Sequence, residues 1–302
     1  MRWVFLSIFV ASAVCTHFRG KARHGFFRQL FDHSTFMAPL NGFAYLFSAV
    51  PRTPFVSRDY FPEMDVIRQE WRTIRDEALA LAGERRIRAA GAYNDIGFNS
   101  FFRQGWQRFY LKWYGAPHPS ALGACPRTLE ILSRLPSVKA AMFARLPPGG
   151  RLFPHRDPYA GSLRYHLGLV TPNDDRCAIW VDGVCYSWRD GEDVVFDETY
   201  LHHARNDSEH DRIILFCDIE RPLRFGWARR LNRAISDALM RTATSPNEAG
   251  DTTGQLNRIF RHIYAVRSVG KRLKAWNRRV YYCVKWALIA AVVLAIWWPR
   301  SN

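Results

Sequence analysis

The sequence lacks paired cysteine motifs. Among 302 residues it has six scattered cysteines: Cys15, Cys125, Cys177, Cys185, Cys217 and Cys283. No two of them have the C-x-x-C spacing of a zinc or dithiol redox site. In a chain of this length, scattered cysteines usually serve as small buried hydrophobic residues, and they indicate a reducing compartment. The pattern therefore argues against a functional site built on paired cysteines.

Acidic residues are also scarce. The chain has 27 Asp and Glu against 43 Lys and Arg, which gives a net charge of +16. Such an excess favours an anionic partner, namely nucleic acid, anionic lipid headgroups or a phosphorylated substrate. The excess is concentrated between residues 221 and 280, which contain 14 basic and three acidic residues. Because this basic run adjoins an apolar segment, we expect an anionic membrane surface, not nucleic acid, as its partner; a solvated helix face is the alternative.

Two segments near the ends lack charge. Trp3–Cys15 has none, and no small-x-small cleavage site precedes the basic residues that follow, so we predict an uncleaved membrane anchor at residues 1–18. Val280–Trp298 has only Lys285 and is flanked by tryptophans, which predicts a transmembrane helix; a buried C-terminal helix is the alternative. The basic residues beside both segments predict that the middle of the chain faces the cytoplasm.

The chain between these segments divides by pattern. Residues 19–137 form a predicted connector region, irregular over 20–60 and 95–120, with helices at Pro62–Glu84 and Cys125–Pro136. Short apolar runs separated by Gly, Pro, Asn and Asp predict about eight strands over residues 138–223, in a sandwich, barrel or jelly roll. Residues 224–279 are predicted to form basic amphipathic helices, divided by a loop near Ser245–Gly254.

The strand region contains a candidate metal site. His155 and Asp157 are two residues apart, so both side chains leave one face of an extended segment. Two histidines and one carboxylate form the facial triad of non-haem Fe(II) oxygenases. The second histidine is either His202 or His203, because strand alternation lets only one of them point inward. An isolated H-x-D triplet also fits a surface hydrogen-bonded pair.

Three further side chains are candidates for binding a cosubstrate. An oxygenase that uses 2-oxoglutarate needs a cation for the distal carboxylate, and the planar fork of Arg212 suits that task. Arg164 and His166 share one strand face and could bind the same molecule. A buried arginine needs an anionic partner, and no acid neighbours either arginine closely in sequence. Taken alone, His166 also fits a core histidine and Arg212 an edge-strand surface charge.

Two stretches carry a family resemblance. "HRDPYAGSLRYHLGL" followed by "TP", and "FDETYLHHARN" followed by "RIILFCD", resemble the two motifs of the aspartyl/asparaginyl β-hydroxylase family of Fe(II)/2-oxoglutarate dioxygenases. The motifs cover residues 140–223, and the layout of the whole chain is similar to bacterial members of that family that hydroxylate lipid A. The resemblance implies an α+β protein with a double-stranded β-helix (jelly-roll, cupin-like) core, flanking helices and hydrophobic terminal membrane segments.

The resemblance also implies roles for individual residues. His155 and His202 match the iron-binding histidines, Arg212 matches the residue that pairs with the distal carboxylate, and Arg164 and His166 match further cosubstrate contacts. Asp157 is the departure, because the eukaryotic peptide-hydroxylating members have glycine there. It is either a third ligand or an acid behind the ligands, and we predict that it ligates.

The expected cofactor set is Fe(II), 2-oxoglutarate and O2. The expected reaction is hydroxylation of the 2-position of a secondary acyl chain of lipid A, a phosphorylated glycolipid, at the cytoplasmic face of a bacterial inner membrane. The alternatives are another lipid, such as an ornithine lipid, and a peptidyl aspartyl/asparaginyl substrate. The aromatic segment Asn99–Gly115 is predicted to line an acyl groove, with Arg103, Arg108 and Lys112 near lipid phosphates; ordinary core and surface is the alternative.

Overall fold

The computed structural model describes residues 2–90 and 95–297, without the side chains of residues 2, 261, 263–265, 267, 289 and 292–297. Ten strands in these ranges form two sheets. They are β1 (Phe55–Val56), β2 (Gln107–Trp113), β3 (Val138–Leu146), β4 (Arg151–His155), β5 (Ser162–Val170), β6 (Cys177–Val181), β7 (Val184–Ser187), β8 (Asp193–Phe196), β9 (His202–Asn206) and β10 (Arg212–Glu220).

The strand order is that of a jelly roll. The larger sheet has the order β1-β8-β5-β10-β3-β2, and the smaller has the order β4-β9-β6-β7. The eight strands from β3 to β10 therefore form a double-stranded β-helix of antiparallel neighbours. The predicted jelly-roll core is confirmed. Strands β1 and β2 extend the larger sheet at its two edges, so the prediction that residues 95–120 are irregular was wrong for β2.

Twelve α-helices flank the sheets in the described ranges. They are α1 (Arg2–Phe18), α2 (Phe26–Leu30), α3 (His33–Phe36), α4 (Ala38–Leu46), α5 (Asp65–Gln69), α6 (Trp71–Gly83), α7 (Asn99–Phe102), α8 (Pro119–Ala124), α9 (Pro126–Ser133), α10 (Gly226–Met240), α11 (Gln255–Trp276) and α12 (Arg278–Trp297). The prediction of an irregular segment over residues 20–60 was wrong, because it contains α2, α3, α4 and β1. The predicted helices at 62–84 and 125–136 are present as α5 with α6 and as α9.

The larger sheet is buried on both faces. Its outer face packs against α5, α6, α8 and α9 through one apolar cluster that includes Ile74, Leu81 and Leu129. Its inner face packs against the smaller sheet through a second cluster, which includes Met142, Trp188 and Phe216. Because both faces are covered, the central strands β5 and β10 are buried along almost their whole length. The space between the sheets is where inward-facing polar residues can form a site.

No helix among the described residues is both long enough and apolar enough to cross a membrane. Neither predicted membrane segment gains support from this finding. The second one, Val280–Trp298, ends outside the described residues, at Trp298.

Helix α4 fixes the segment that follows β4. The Asn41 side chain donates a hydrogen bond to the Pro158 carbonyl (3.0 Å) and accepts one from the Ala160 amide (2.8 Å). We expect Asn41→Ala to lower the free energy of unfolding by about 1–3 kcal/mol, because it leaves these backbone groups without partners. Urea denaturation measures the change. Leu46→Ala, on the same helix at a residue that is 67% exposed, is the matched control and should have little effect.

Candidate active site

A cavity opens between the two sheets at the end where β4 and β9 pair. The empty space in it, together with the open solvent at its mouth, is about 470 Å³. Its wall is aromatic and aliphatic, with a small group of ionisable side chains on the strands: His155, Asp157, Arg164, His166, His202 and Arg212. All six are residues that the sequence predicted for the site. An apolar pocket with a few convergent polar groups is the usual form of a small-molecule site.

Two histidines and an aspartate converge at the mouth of this cavity. His155 and His202 face each other across the β4–β9 pair, with ring centroids 4.2 Å apart. Asp157 follows directly after β4, and its Oδ1 is 3.6 Å from Nε2 of His155. One ligand atom from each of the three lies within 4.8 Å of the others. This spacing lets the three side chains bind one cation together.

The backbone sets which nitrogen of each histidine faces the cavity. Nδ1 of His155 lies 2.7 Å from the Phe153 carbonyl, and Nδ1 of His202 lies 2.9 Å from the Tyr200 carbonyl. A carbonyl only accepts, so each Nδ1 must carry the proton and donate it. Each Nε2 then has a free lone pair, the arrangement that metal-binding histidines commonly use.

The electrostatics keep the three groups in their metal-binding protonation states. Burial, followed by the charge of His155, lowers the pKa of His202 to about 3, and burial also lowers the pKa of His155. Both imidazoles are therefore neutral near pH 7. Burial alone raises the pKa of Asp157, but Arg164 and the two imidazoles bring it below its usual value. Asp157 is therefore a carboxylate.

Arg164 holds Asp157 in place. Its Nη2 lies 2.7 Å from Oδ2 of Asp157, which leaves Oδ1 directed toward His155. The same guanidinium pairs with Glu198 and lies 3.3 Å from Asp218. No acid neighbours Arg164 closely in sequence, and its partners Glu198 and Asp218 come from distant parts of the chain. Arg164 Nη1 has no hydrogen-bond partner among the described residues, so the predicted cosubstrate contact remains a prediction.

The Arg164 cluster has more acid than base. Burial raises the pKa of both Glu198 and Asp218 in spite of the attraction of Arg164. One of the two carboxyl groups, Glu198 or Asp218, therefore keeps its proton. Asp157 is ionised, and it is the carboxylate that lines the cavity. No role was predicted for Glu198 and Asp218, although they lie in the quoted stretches "FDETYLHHARN" and "RIILFCD".

Arg212 is a buried cation without a carboxylate. It is 2% exposed, lies with its guanidinium 4.5 Å from the Trp188 ring centroid, and forms no ion pair with a described acid. Its Nε and Nη2 have no hydrogen-bond partner within the described ranges. Burial lowers its pKa to about 10, so it remains charged near pH 7. A buried guanidinium with free donors fits the carboxylate of a bound small molecule.

His166 lies beside Arg212 on the same cavity wall. Neither of its ring nitrogens has a partner in the described part of the chain, and its ring lies 6.0 Å from that of Trp188. Burial, reinforced by Arg164 and Arg212, lowers its pKa well below the usual value, so the ring is neutral. It therefore offers one donor and one acceptor to the same ligand.

The other residues that the sequence suggested for the site differ in where they lie. His203 faces the outer side of the smaller sheet, where its ring stacks on Trp180 at a centroid distance of 5.1 Å. Phe101, from the predicted groove segment, lies 4.7 Å from the His155 ring. The prediction for Arg108 was wrong, because it is buried in an ion pair with Asp95 at 3.0 Å and cannot face a lipid phosphate.

The jelly roll places two imidazoles and a carboxylate, which together could hold a metal ion, beside a buried unpaired cation, which could hold an anion. Residues 68–222, half of the chain, match the family described as aspartyl/asparaginyl beta-hydroxylase. The chain belongs to this family of hydroxylases.

Two curated relatives illustrate the range of the family. An ornithine lipid ester-linked acyl 2-hydroxylase of Rhizobium tropici is 38% identical over 131 residues, which are 43% of this chain and 46% of that protein. The human aspartyl/asparaginyl beta-hydroxylase is 27% identical over 161 residues, 52% of this chain and 21% of that protein. The chain thus spans less than half the length of either relative.

Among solved structures, a prolyl-4-hydroxylase of Pseudomonas putida is 17% identical to this chain. The alignment covers 62% of this chain and 99% of that one, with a TM-score of 0.37.

Proposed function

We propose that the chain is an Fe(II)- and 2-oxoglutarate-dependent dioxygenase that hydroxylates the 2-position of an acyl chain on a membrane lipid. The observation that supports this most strongly is the pairing of the His155, Asp157 and His202 group with the unpaired Arg212 and His166 in one cavity. When bound, iron, 2-oxoglutarate and O2 supply the oxidising chemistry, with succinate and CO2 as the other products.

The protein's own residues position the reactants. His155 and His202 each offer one nitrogen lone pair, and Asp157 offers Oδ1 while Arg164 holds its other oxygen. Arg212 and His166 would hold the distal carboxylate of 2-oxoglutarate by charge and hydrogen bonds. Ile179, Trp188 and Phe216 line the cavity and exclude water around it. Phe101, beside His155, would contact an acyl chain at the metal site.

The lipid substrate we propose first is lipid A, at a secondary acyl chain. The net charge of +16 supports a phosphorylated, anionic lipid. An ornithine lipid is the second candidate, which the name of the Rhizobium tropici relative favours. The charge next to the apolar ends and the unpaired cysteines support action at the cytoplasmic face of a bacterial inner membrane.

Mass spectrometry tests this proposal. The purified chain, supplied with Fe(II), 2-oxoglutarate and O2, should add one oxygen atom to an acyl chain of lipid A or an ornithine lipid, with succinate formed in equal amount. Fragmentation of the product should place the hydroxyl beside the carbonyl. Oxygen added only to an Asp- or Asn-containing peptide would instead favour a peptidyl hydroxylase. No succinate and no oxidised product with any of these substrates would refute the proposal.

A further inference from the structure

The helical layer formed by α1 to α4 lies directly against the metal-site segment. Arg28 Nη2 donates a hydrogen bond to the Pro154 carbonyl (2.8 Å), and His33 Nε2 lies 2.7 Å from the Arg156 carbonyl. Together with the two Asn41 bonds, these contacts follow the chain from residue 154 to residue 160. The layer therefore flanks the cavity mouth, where His155 and Asp157 are partly exposed.

This layer presents large apolar side chains to solvent. Four phenylalanines of the α2–α3 segment are exposed: Phe26 (66%), Phe27 (78%), Phe31 (78%) and Phe36 (64%). Phe153, next to the residue that Arg28 contacts, is 61% exposed. Single exposed hydrophobic residues are ordinary, but a group of this size marks an interaction surface.

A second exposed aromatic group lies at the end of α4 and the start of α10. The rings of Phe47 and Trp227 lie 5.0 Å apart, and Phe225 stacks on Trp227 at 6.3 Å. Phe225 and Trp227 are half-exposed, and Leu46 on α4 is 67% exposed. We call the two groups together the aromatic surface: Phe26, Phe27, Phe31, Phe36, Leu46, Phe153, Phe225 and Trp227.

The charge around the aromatic surface is mainly positive. Residues 1–47 contain five Lys or Arg and one Asp, and residues 224–233 contain four Arg and no acid. A second copy of the same surface would bring like charges together, which disfavours self-association. Exposed aromatic rings flanked by arginines instead fit the interface of an anionic bilayer, where rings lie at headgroup level and cations meet lipid phosphates.

We propose that the aromatic surface docks on an anionic lipid bilayer and turns the cavity mouth toward the lipid. The benefit of docking depends on the proposed function: a cavity mouth that faces the bilayer can receive an acyl chain while the rest of the lipid stays in the membrane. The contact with the membrane itself does not require that function. It requires the exposed rings and the arginines beside them.

Two variants test the docking. In Phe27→Ser/Phe31→Ser and in Trp227→Ser, exposed rings outside the cavity are removed. We expect each to lower partition of the full chain onto phosphatidylglycerol-containing vesicles at least about tenfold, as loss of buried aromatic area predicts. Val184→Ser, at a 49% exposed residue on β7, is the matched control and should bind like wild type. Phosphatidylcholine vesicles should bind all four proteins more weakly than the anionic vesicles bind wild type.

Activity provides an independent readout. On vesicle lipid the two variants should lose hydroxylation at least about tenfold, and on detergent-dispersed lipid they should match wild type. Unchanged vesicle binding in both variants would overturn the docking proposal, and so would a wild-type dimer that these substitutions dissociate. If no lipid is hydroxylated in any form, the proposed function fails, while the vesicle measurement still decides the docking.

Discussion

Alanine at His155 or His202 should abolish hydroxylation, whereas alanine at His203 should leave it intact. His155 and His202 face each other across β4 and β9, and His203 lies on the outer face against Trp180. Loss of an outer-sphere partner typically lowers metal affinity or activity about 10–100-fold, so loss of a ligand should exceed that. We expect a decrease of at least about a thousandfold in succinate formation for His155→Ala and His202→Ala.

Metal binding provides a second readout besides activity. Calorimetric titration with Mn(II), which does not oxidise readily, should show a matching loss of affinity in both variants and wild-type affinity in His203→Ala. Asp157→Ala should also weaken Mn(II) binding if the carboxylate ligates. Wild-type affinity in His202→Ala, or a loss confined to His203→Ala, would contradict the assignment of the histidines.

Replacing Arg212 by methionine should weaken binding of the cosubstrate without lowering the stability of the fold. Hydrogen bonds to charged groups contribute about 1.5–3 kcal/mol each, so we expect the Kd for 2-oxoglutarate to rise on the order of a hundredfold. Arg212 is buried without a carboxylate, so its removal should leave the free energy of unfolding unchanged or raise it by about 1–4 kcal/mol.

Calorimetry with 2-oxoglutarate and urea denaturation measure the two quantities on the same protein. Arg205→Met is the matched control, because Arg205 lies on the outer face over the Trp180 ring and should affect neither. A large loss of stability in Arg212→Met would show that the arginine has a structural role, and an unchanged Kd would rule it out as the cosubstrate contact.

The strand region could be predicted from sequence because its strands are short apolar runs between turn residues, and the family resemblance then narrowed the choice to a jelly roll. Strand β2 was missed because it is buried on both faces and its aromatic residues show no alternation. The helices α2 and α3 were missed because they have five and four residues, too few for a helical period to be recognised. These elements were missed because of burial on both faces for β2 and short length for α2 and α3, not because of their composition.

The residues of the candidate site could be predicted from the sequence, but the residues that hold them in place could not. Strand alternation was enough to select His155 with Asp157 and Arg164 with His166. The partners of Arg164 could not be foreseen, because Glu198 and Asp218 are 34 and 54 residues further along the chain and meet it only in the folded sheet. The same limit applies to Arg108, whose partner Asp95 lies in an earlier loop.

The position of β4 at the edge of the smaller sheet has a consequence for local opening of the fold. β4 pairs with one strand, β9, and the register shifts between Leu152 and His155. Edge strands with interrupted pairing open at a lower free energy than the core of a sheet. We therefore expect the amides of residues 151–153 to exchange faster than those of β9, whereas the contacts of Arg28, His33 and Asn41 hold the chain from residue 154 to residue 160.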